Sequence, residues 1–176
     1  ELWVSDGTTT GTKIIKDMNP GKDSSVIPEL VVLNNDTLIF VNTDSANGRE
    51  IWMTNGSDTG THLVKNIYPG TTGSGATNLV RMKNHVYFFA NDSTNGLELW
   101  KTDGTSAGTM MVKDINTTTV TGCGGALLTK FKDSLLFQAT EPTFGTEIWM
   151  SDGTTSGTNI LKDIMPGVAS SGMTSI

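Results

Sequence analysis

The opening string ELWVSDGTTTGTKIIKDM is written four times in this chain, and no other feature limits the fold so tightly. It recurs as EIWMTNGSDTGTHLVKNI from Glu50, ELWKTDGTSAGTMMVKDI from Glu98 and EIWMSDGTTSGTNILKDI from Glu147, at spacings of 49, 48 and 49 residues. Self-similarity at that period marks a repeat architecture, in which each unit buries its apolar surface against its neighbours. Boundaries follow from the period: a half repeat over 1–28, repeats over 29–77 and 78–125, and a last repeat with the start of another over 126–176, all in one domain.

Within a repeat the pattern predicts four short strands, A to D. In the first full copy these are residues 29–33, 38–41, 50–53 and 62–67, with a loop over 42–48, a DGT-type turn, and a Pro-Gly connection over 68–77. Turn signals this frequent, with no helical periodicity, indicate an all-β protein. The B strands are continuous apolar runs, Leu38-Ile39-Phe40-Val41, Val86-Tyr87-Phe88-Phe89 and Leu135-Leu136-Phe137, which implies burial on both faces. A sheet on either side supplies that burial. The regular C-strand tryptophans, Trp3, Trp52, Trp100 and Trp149, are therefore expected to pack between sheets. Gly7, Gly56, Gly104 and Gly153 follow Asp or Asn and are expected at positive φ, while Gly48, Gly96 and Gly145 are expected to close the B–C loops. The third repeat lacks the Pro-Gly pair and has residues 116–119 instead, so its D–A connection should differ.

The net charge of -6 and the low pI argue against nucleic acid or anionic lipid as partners, because both need clustered Lys and Arg. No stretch reaches the roughly 18 apolar residues of a membrane-spanning helix, so membrane insertion is not expected. The single cysteine, Cys123, allows no internal disulfide and reads as a small residue in a glycine-rich loop. The chain opens inside a repeat with no signal peptide in view, and its last residue, Ile176, matches Leu79 at the start of a strand A. The open halves are expected to be completed by further repeats or by a neighbouring molecule, either as a closed ring or as a head-to-tail array.

The pattern ELW-x-x-DGT-x-x-GT-x-x-x-KDI-x-PG resembles the ELWxxDGT repeat family of large secreted or surface-exposed proteins, and the resemblance covers essentially the whole chain. Its strand order is similar to that of kelch and WD-repeat propellers. The resemblance implies a β-propeller-type array of four-stranded antiparallel blades and a secreted or cell-surface location. It carries no activity with it.

Asp6, Asp103 and Asp152 recur in the DGT turns and Asp17, Asp114 and Asp163 in the KD pairs, an arrangement that could hold calcium. The second repeat argues for turn capping instead, since Asn55 and Asn66 stand at those positions without charge. The B–C loops over 44–48 and 92–96 are one residue short of a calcium-loop spacing, and the third copy has Glu141 in place of the aspartate. No cofactor is expected. Glu1, Glu50, Glu98 and Glu147 lie on strands next to Lys16, Lys65, Lys113 and Lys162, which suggests cross-strand ion pairs. Residues that break the repeat are the candidates for catalysis: His62, His85, Arg49, Arg81, Glu141 and Cys123. No catalytic motif surrounds them, so an enzyme is not expected. The sequons at Asn35, Asn55, Asn91 and Asn116 fall on expected loops and would be N-glycosylation acceptors in a host that glycosylates. The reading is a non-enzymatic extracellular structural or interaction module, with copies of itself, further repeats or carbohydrate as partners. A lectin-like or calcium-binding propeller recognising surface glycans is the alternative, and a propeller hydrolase the second alternative.

Overall fold

The computed structural model describes residues 1–21, 25–118 and 121–174. Thr119 and Ile176, which the repeat alignment invoked, lie outside them. Among the described residues every regular element is a strand. A two-stranded sheet comes first, β1 (Leu2–Val4) with β2 (Lys13–Lys16). Three four-stranded antiparallel meanders follow. The first is β3 (Leu30–Asn34), β4 (Thr37–Asp44), β5 (Gly48–Thr54) and β6 (His62–Lys65). The second is β7 (Thr77–Met82), β8 (His85–Asn91), β9 (Leu97–Thr102) and β10 (Met110–Lys113). The third is β11 (Ala126–Phe131), β12 (Ser134–Glu141), β13 (Gly145–Ser151) and β14 (Asn159–Lys162). No sheet closes on itself. The all-β repeat of the sequence analysis is thus present, one sheet per period.

Three boundaries differ from expectation, each for a local reason. The supposed B–C loop over 42–48 is a tight hairpin, with β4 and β5 paired from Leu38↔Thr54 out to Asp44↔Gly48. The Asp44 carboxylate accepts the N–H groups of Ala46 and Asn47 at 2.7 and 2.6 Å, which closes the turn and lets the strands run to its foot. Strand D ends at Lys65 rather than at residue 67, and beyond it the Tyr68 N–H bonds the Glu50 side chain of β5 in place of a strand backbone. Strand A is shifted by one residue, leaving Glu29 free to bridge to the second sheet.

The sheets stack face to face, and the sequence register decides which face meets which neighbour. Phe40 pairs with Trp52, Phe88 with Trp100 and Phe137 with Trp149 directly across their strand pairs. Phe88 and Trp100 pack on Leu33, Ile39, Val41, Ile51 and Val64 of the preceding sheet. Phe137 and Trp149 do the same on Tyr87, Phe89, Leu99 and Val112. Phe40 and Trp52 meet Leu2 of the two-stranded sheet and Met18 of the connection after it. The expected inter-sheet role of these tryptophans holds at three junctions. Trp3 differs: it is 60% exposed, with no sheet in front of it among the described residues. Strand β7 lies against both β3 and β11, so the A strands of successive sheets converge.

The doubly buried B strand is real for β4 and β8 but not for β12. There Leu135, Phe137 and Ala139 are buried while Leu136 and Gln138 are half-exposed, since no sheet among the described residues covers their side. An apolar run reports the propensity to be covered on both faces, and only a neighbour makes it so.

Gly48 occupies a position where two backbones nearly touch. Its φ is 68°, and a Cβ there would lie 2.5 Å from Gly73 N and from Thr71 O of the D–A connection, which forms a parallel bridge between Arg49 and Gly73. Gly56 has a similar φ, 85°, but a Cβ there would meet nothing within 4 Å. Gly56→Ala should therefore cost about 1–2 kcal/mol for the left-handed backbone alone. Gly48→Ala should cost at least about 1 kcal/mol more, since the connection must also move. Urea denaturation of the two variants side by side checks the difference.

Candidate functional site: the junction between repeats

Each junction is built from the residues that recur most regularly. The expected Glu–Lys ion pair is not formed. Glu50, Glu98 and Glu147 are fully buried, and they hold backbone rather than lysine. Glu50 Oε1 accepts the N–H groups of Tyr68 and Ser74 at 2.9 and 3.0 Å, and its Oε2 accepts the Ser74 hydroxyl at 2.6 Å. Glu98 accepts the N–H groups of Ile115 and Asn116 at 3.1 and 3.2 Å. Glu1 does the same for Met18 and Ser25. In each case a carboxylate on strand C pins the connection that leads to the next sheet. Burial raises the pKa of Glu50 and of Glu98 above the ordinary carboxylate range, and these hydrogen bonds only partly offset it.

Cys123 takes the place in the third connection that Ser74 has in the second. It is fully buried and hydrogen-bonded to Glu98. Burial first, and the Glu98 charge next, push its thiol far above the usual value. The thiol should therefore resist an aqueous alkylating reagent in the native protein and react at once in denaturant; labelling at native rates matching a free peptide thiol would contradict this placement. In the last repeat Ser171 turns to the carbonyl of Thr146 instead, and Glu147 Oε1 is left without a partner among the described residues.

The lysines act between sheets. Lys65 Nζ donates to the carbonyl of Thr109 at 2.7 Å and stands 6.0 Å from the Trp100 ring centre. Lys113 Nζ donates to Thr158 O at 2.7 Å and stands 5.6 Å from the Trp149 ring. Lys16 reaches the next sheet too, at the Asp58 carbonyl and carboxylate. A lysine of one repeat thus covers the tryptophan of the following one and ties down its C–D turn.

Capping is what the DGT turns do. Asp6, Asp103 and Asp152 each accept the N–H and hydroxyl of the threonine two residues on, and Asn55 does the same with Ser57. The threonine hydroxyl lowers the pKa of each aspartate. Of the KD aspartates, Asp17 caps Asn19, while Asp114 and Asp163 each keep a buried Oδ1 with no partner among the described residues. No group of three or more metal-ligating side chains occurs among the described residues.

The repeat-breaking residues are dispersed. Arg49 Nε donates to Ala76 O at 2.9 Å, and its guanidinium lies 3.7 Å from Glu29, which in turn accepts from Thr77 and Leu79 of the second sheet. Glu141 closes the third hairpin by accepting the N–H groups of Thr143 and Phe144, the work of Asp44 and Asp92 in the other copies. Arg81 is exposed. His85 is half-buried beside Tyr87. His62 is exposed on the rim of an open groove of about 590 Å³, floored by Leu33, Met53 and Val64 and facing Asp103 and Thr105 of the next turn. None of these six joins another by a hydrogen bond or ion pair among the described residues. No local pattern announces the groove, because its two walls come from different repeats.

The sequons separate by environment. Asn35 and Asn55 are exposed on turns. Asn91 instead ends β8 and is half-buried, and Asn116 is buried with its Nδ2 donating to Gly122 O at 3.1 Å. The expected loop placement thus holds for Asn35, Asn55 and Asn116, the last of them buried, and differs for Asn91, which closes a strand. Asn116 stands at the Tyr68 position of the third connection, which keeps the parallel bridge, here Leu97 with Gly122, seen between Arg49 and Gly73.

A comparison of the chain with protein-family models, with curated proteins and with solved structures gives no match.

Proposed function

We propose that this chain is a non-enzymatic structural and interaction module, built as an arc of propeller-type blades and working outside the cell or on its surface. The observation that supports it most is the use made of the side chains. The recurring Glu, Trp and Lys residues join one sheet to the next, and the repeat-breaking Arg49, Glu141 and Cys123 serve the same scaffold. Convergence of the A strands favours blades arranged around an axis over a flat stack. The resemblance to secreted ELWxxDGT repeat proteins supports the extracellular location.

The lectin-like alternative has one feature in its favour, the groove beside His62, whose apolar floor and hydroxyl, carboxylate and amide rim suit a sugar ring. One screen tests both readings: thermal melting against a glycan panel and calcium, beside turnover of a broad hydrolase substrate panel. No turnover and no ligand-dependent melting are expected. Turnover would overturn the non-enzymatic reading, and a glycan-dependent shift abolished by His62→Ala would establish the alternative.

A further inference from the structure

The two junctions between four-stranded sheets share one plan but are filled differently. Ile39 and Tyr87 hold the same place on strand B, just before the phenylalanine that faces the strand C tryptophan. Their cross-strand partners are Met53 and Lys101. Both reach toward the glycine of the next DGT turn. A Cβ on Gly153 would overlap the Tyr87 hydroxyl, whereas one on Gly104 would stop 3.9 Å from Ile39 Cδ1 and Met53 Sδ and 3.3 Å from Leu33 Cδ2. Tyr87 thus spans its junction with its own ring, only 3% exposed, and Lys101 Nζ donates to the Gly153 carbonyl at 3.0 Å. Isoleucine and methionine carry neither a ring nor a cationic tip to the turn. Beside them lies the groove of about 590 Å³, between Leu33, Met53 and Val64 on one sheet and Asp103 and Gly104 on the next.

We propose that this groove takes a tyrosine side chain from a partner protein, set where the chain's own Tyr87 sits at the following junction. The surroundings match. Val64 on the groove floor and Val112, which packs with Tyr87, hold the same place in strand D. Met53 adds a thioether, a favourable neighbour for an aromatic ring. The polar end matches too. Burial, and after it the charge of Asp152, raise the Tyr87 pKa and keep its hydroxyl a donor, and Asp103 is the counterpart of Asp152 at the groove. A carboxylate there accepts from a phenol and repels a phosphate. The groove is open and larger than one ring, which suits a side chain carried on an extended segment; a free small molecule is normally enclosed on most of its surface.

The proposal rests on the interaction-module reading and is tested separately from it. N-acetyl-tyrosine amide, titrated into the isotope-labelled whole chain, should give saturable NMR shifts at Met53, His62 and Gly104. A short extended peptide with one central tyrosine should bind more tightly than the amide. Its O-phosphotyrosine form should bind at least about tenfold more weakly, through repulsion at Asp103. Ile39→Tyr supplies the ring from within and should abolish the shifts. Tyr87→Ile empties the second junction and should add a further site beside Gly153. Circular dichroism checks that each variant is folded; should the buried Ile39→Tyr change prevent folding, the wild-type and Tyr87→Ile titrations decide. No saturable shift in the wild type would overturn the proposal, as would undiminished binding by folded Ile39→Tyr or no added site in Tyr87→Ile. A peptide no tighter than the amide would assign the groove to a free phenol, and a monosaccharide binding there in place of the tyrosine amide would assign it to a sugar; either result overturns the proposal. Substrate turnover in the functional screen would instead sink the module reading and leave these titrations standing.

Discussion

Glu50→Ala is expected to destabilise the protein by about 3–5 kcal/mol, since it empties a buried site and strands two backbone hydrogen-bond donors at once. The Tyr68 and Ser74 N–H groups and the Ser74 hydroxyl all donate to the one fully buried carboxylate, and of the three only the hydroxyl has a second acceptor, the Arg49 carbonyl at 3.3 Å. For a chain of 176 residues the loss is a fall in melting temperature of about 10 °C. A melting curve within a degree or two of wild type would show that the D–A connection holds itself in place. Glu50→Gln keeps the shape and one acceptor oxygen, and should cost less than half as much.

The same carboxylates set a pH dependence whose sign is unusual. Burial raises the folded-state pKa of Glu50 and Glu98 above the unfolded value of about 4.5, so between those two values the native state holds more protons than the unfolded chain. Stability from this source is therefore fully present below about 4.5 and is lost as pH rises through the folded pKa. Asp103 works in the opposite sense: its pKa is depressed by the Thr105 hydroxyl, so its contribution is present above about 3.8 and fades as pH falls through the folded value. Together they place the maximum of stability on the mildly acidic side of neutrality. Urea midpoints measured from pH 4.5 upward should decline, and the double variant Glu50→Gln, Glu98→Gln should flatten that decline.

Phe88→Ala is the second change with a large expected effect, about 3–5 kcal/mol. Phe88 has no exposed surface and sits opposite Trp100 in the junction between the second and first four-stranded sheets, so its removal opens a cavity that a close-packed interface fills poorly. Trp3→Ala is the control. It deletes a larger ring from the equivalent strand position of Trp52, yet Trp3 is 60% exposed, and the cost should stay within about 1 kcal/mol. Equal losses at Phe88 and Trp3 would mean that burial at the junction is not what these aromatic residues contribute.

Much of this architecture was legible in the residues. The period located each sheet, the turn dipeptides located the glycines at positive φ, and the Phe and Trp registers announced packing on both sides. Those are short-range signals, carried by neighbours within a few positions. The roles of Glu50 and Lys65 were not legible. Adjacent strands and opposite charges suggested a pair, but the glutamate turns to backbone donors 18 and 24 residues away, and the lysine to a carbonyl 44 residues away. No local pattern encodes such a partner. The burial of Asn116 on its loop was hidden for the same reason, because the backbone that accepts its amide arrives from beyond its own turn.

The sequence by itself determined the unit: four strands per period, their order, and the residues that would have to be covered on each face, because alternation along a strand and turn chemistry act locally. Only the tertiary structure decided what covers them. Val64 and Leu161 stand at the same place in their repeats, yet one is buried and the other exposed. Trp52 and Trp3 divide in the same way. Burial is a property of two surfaces brought together, and a sequence position names only one of them.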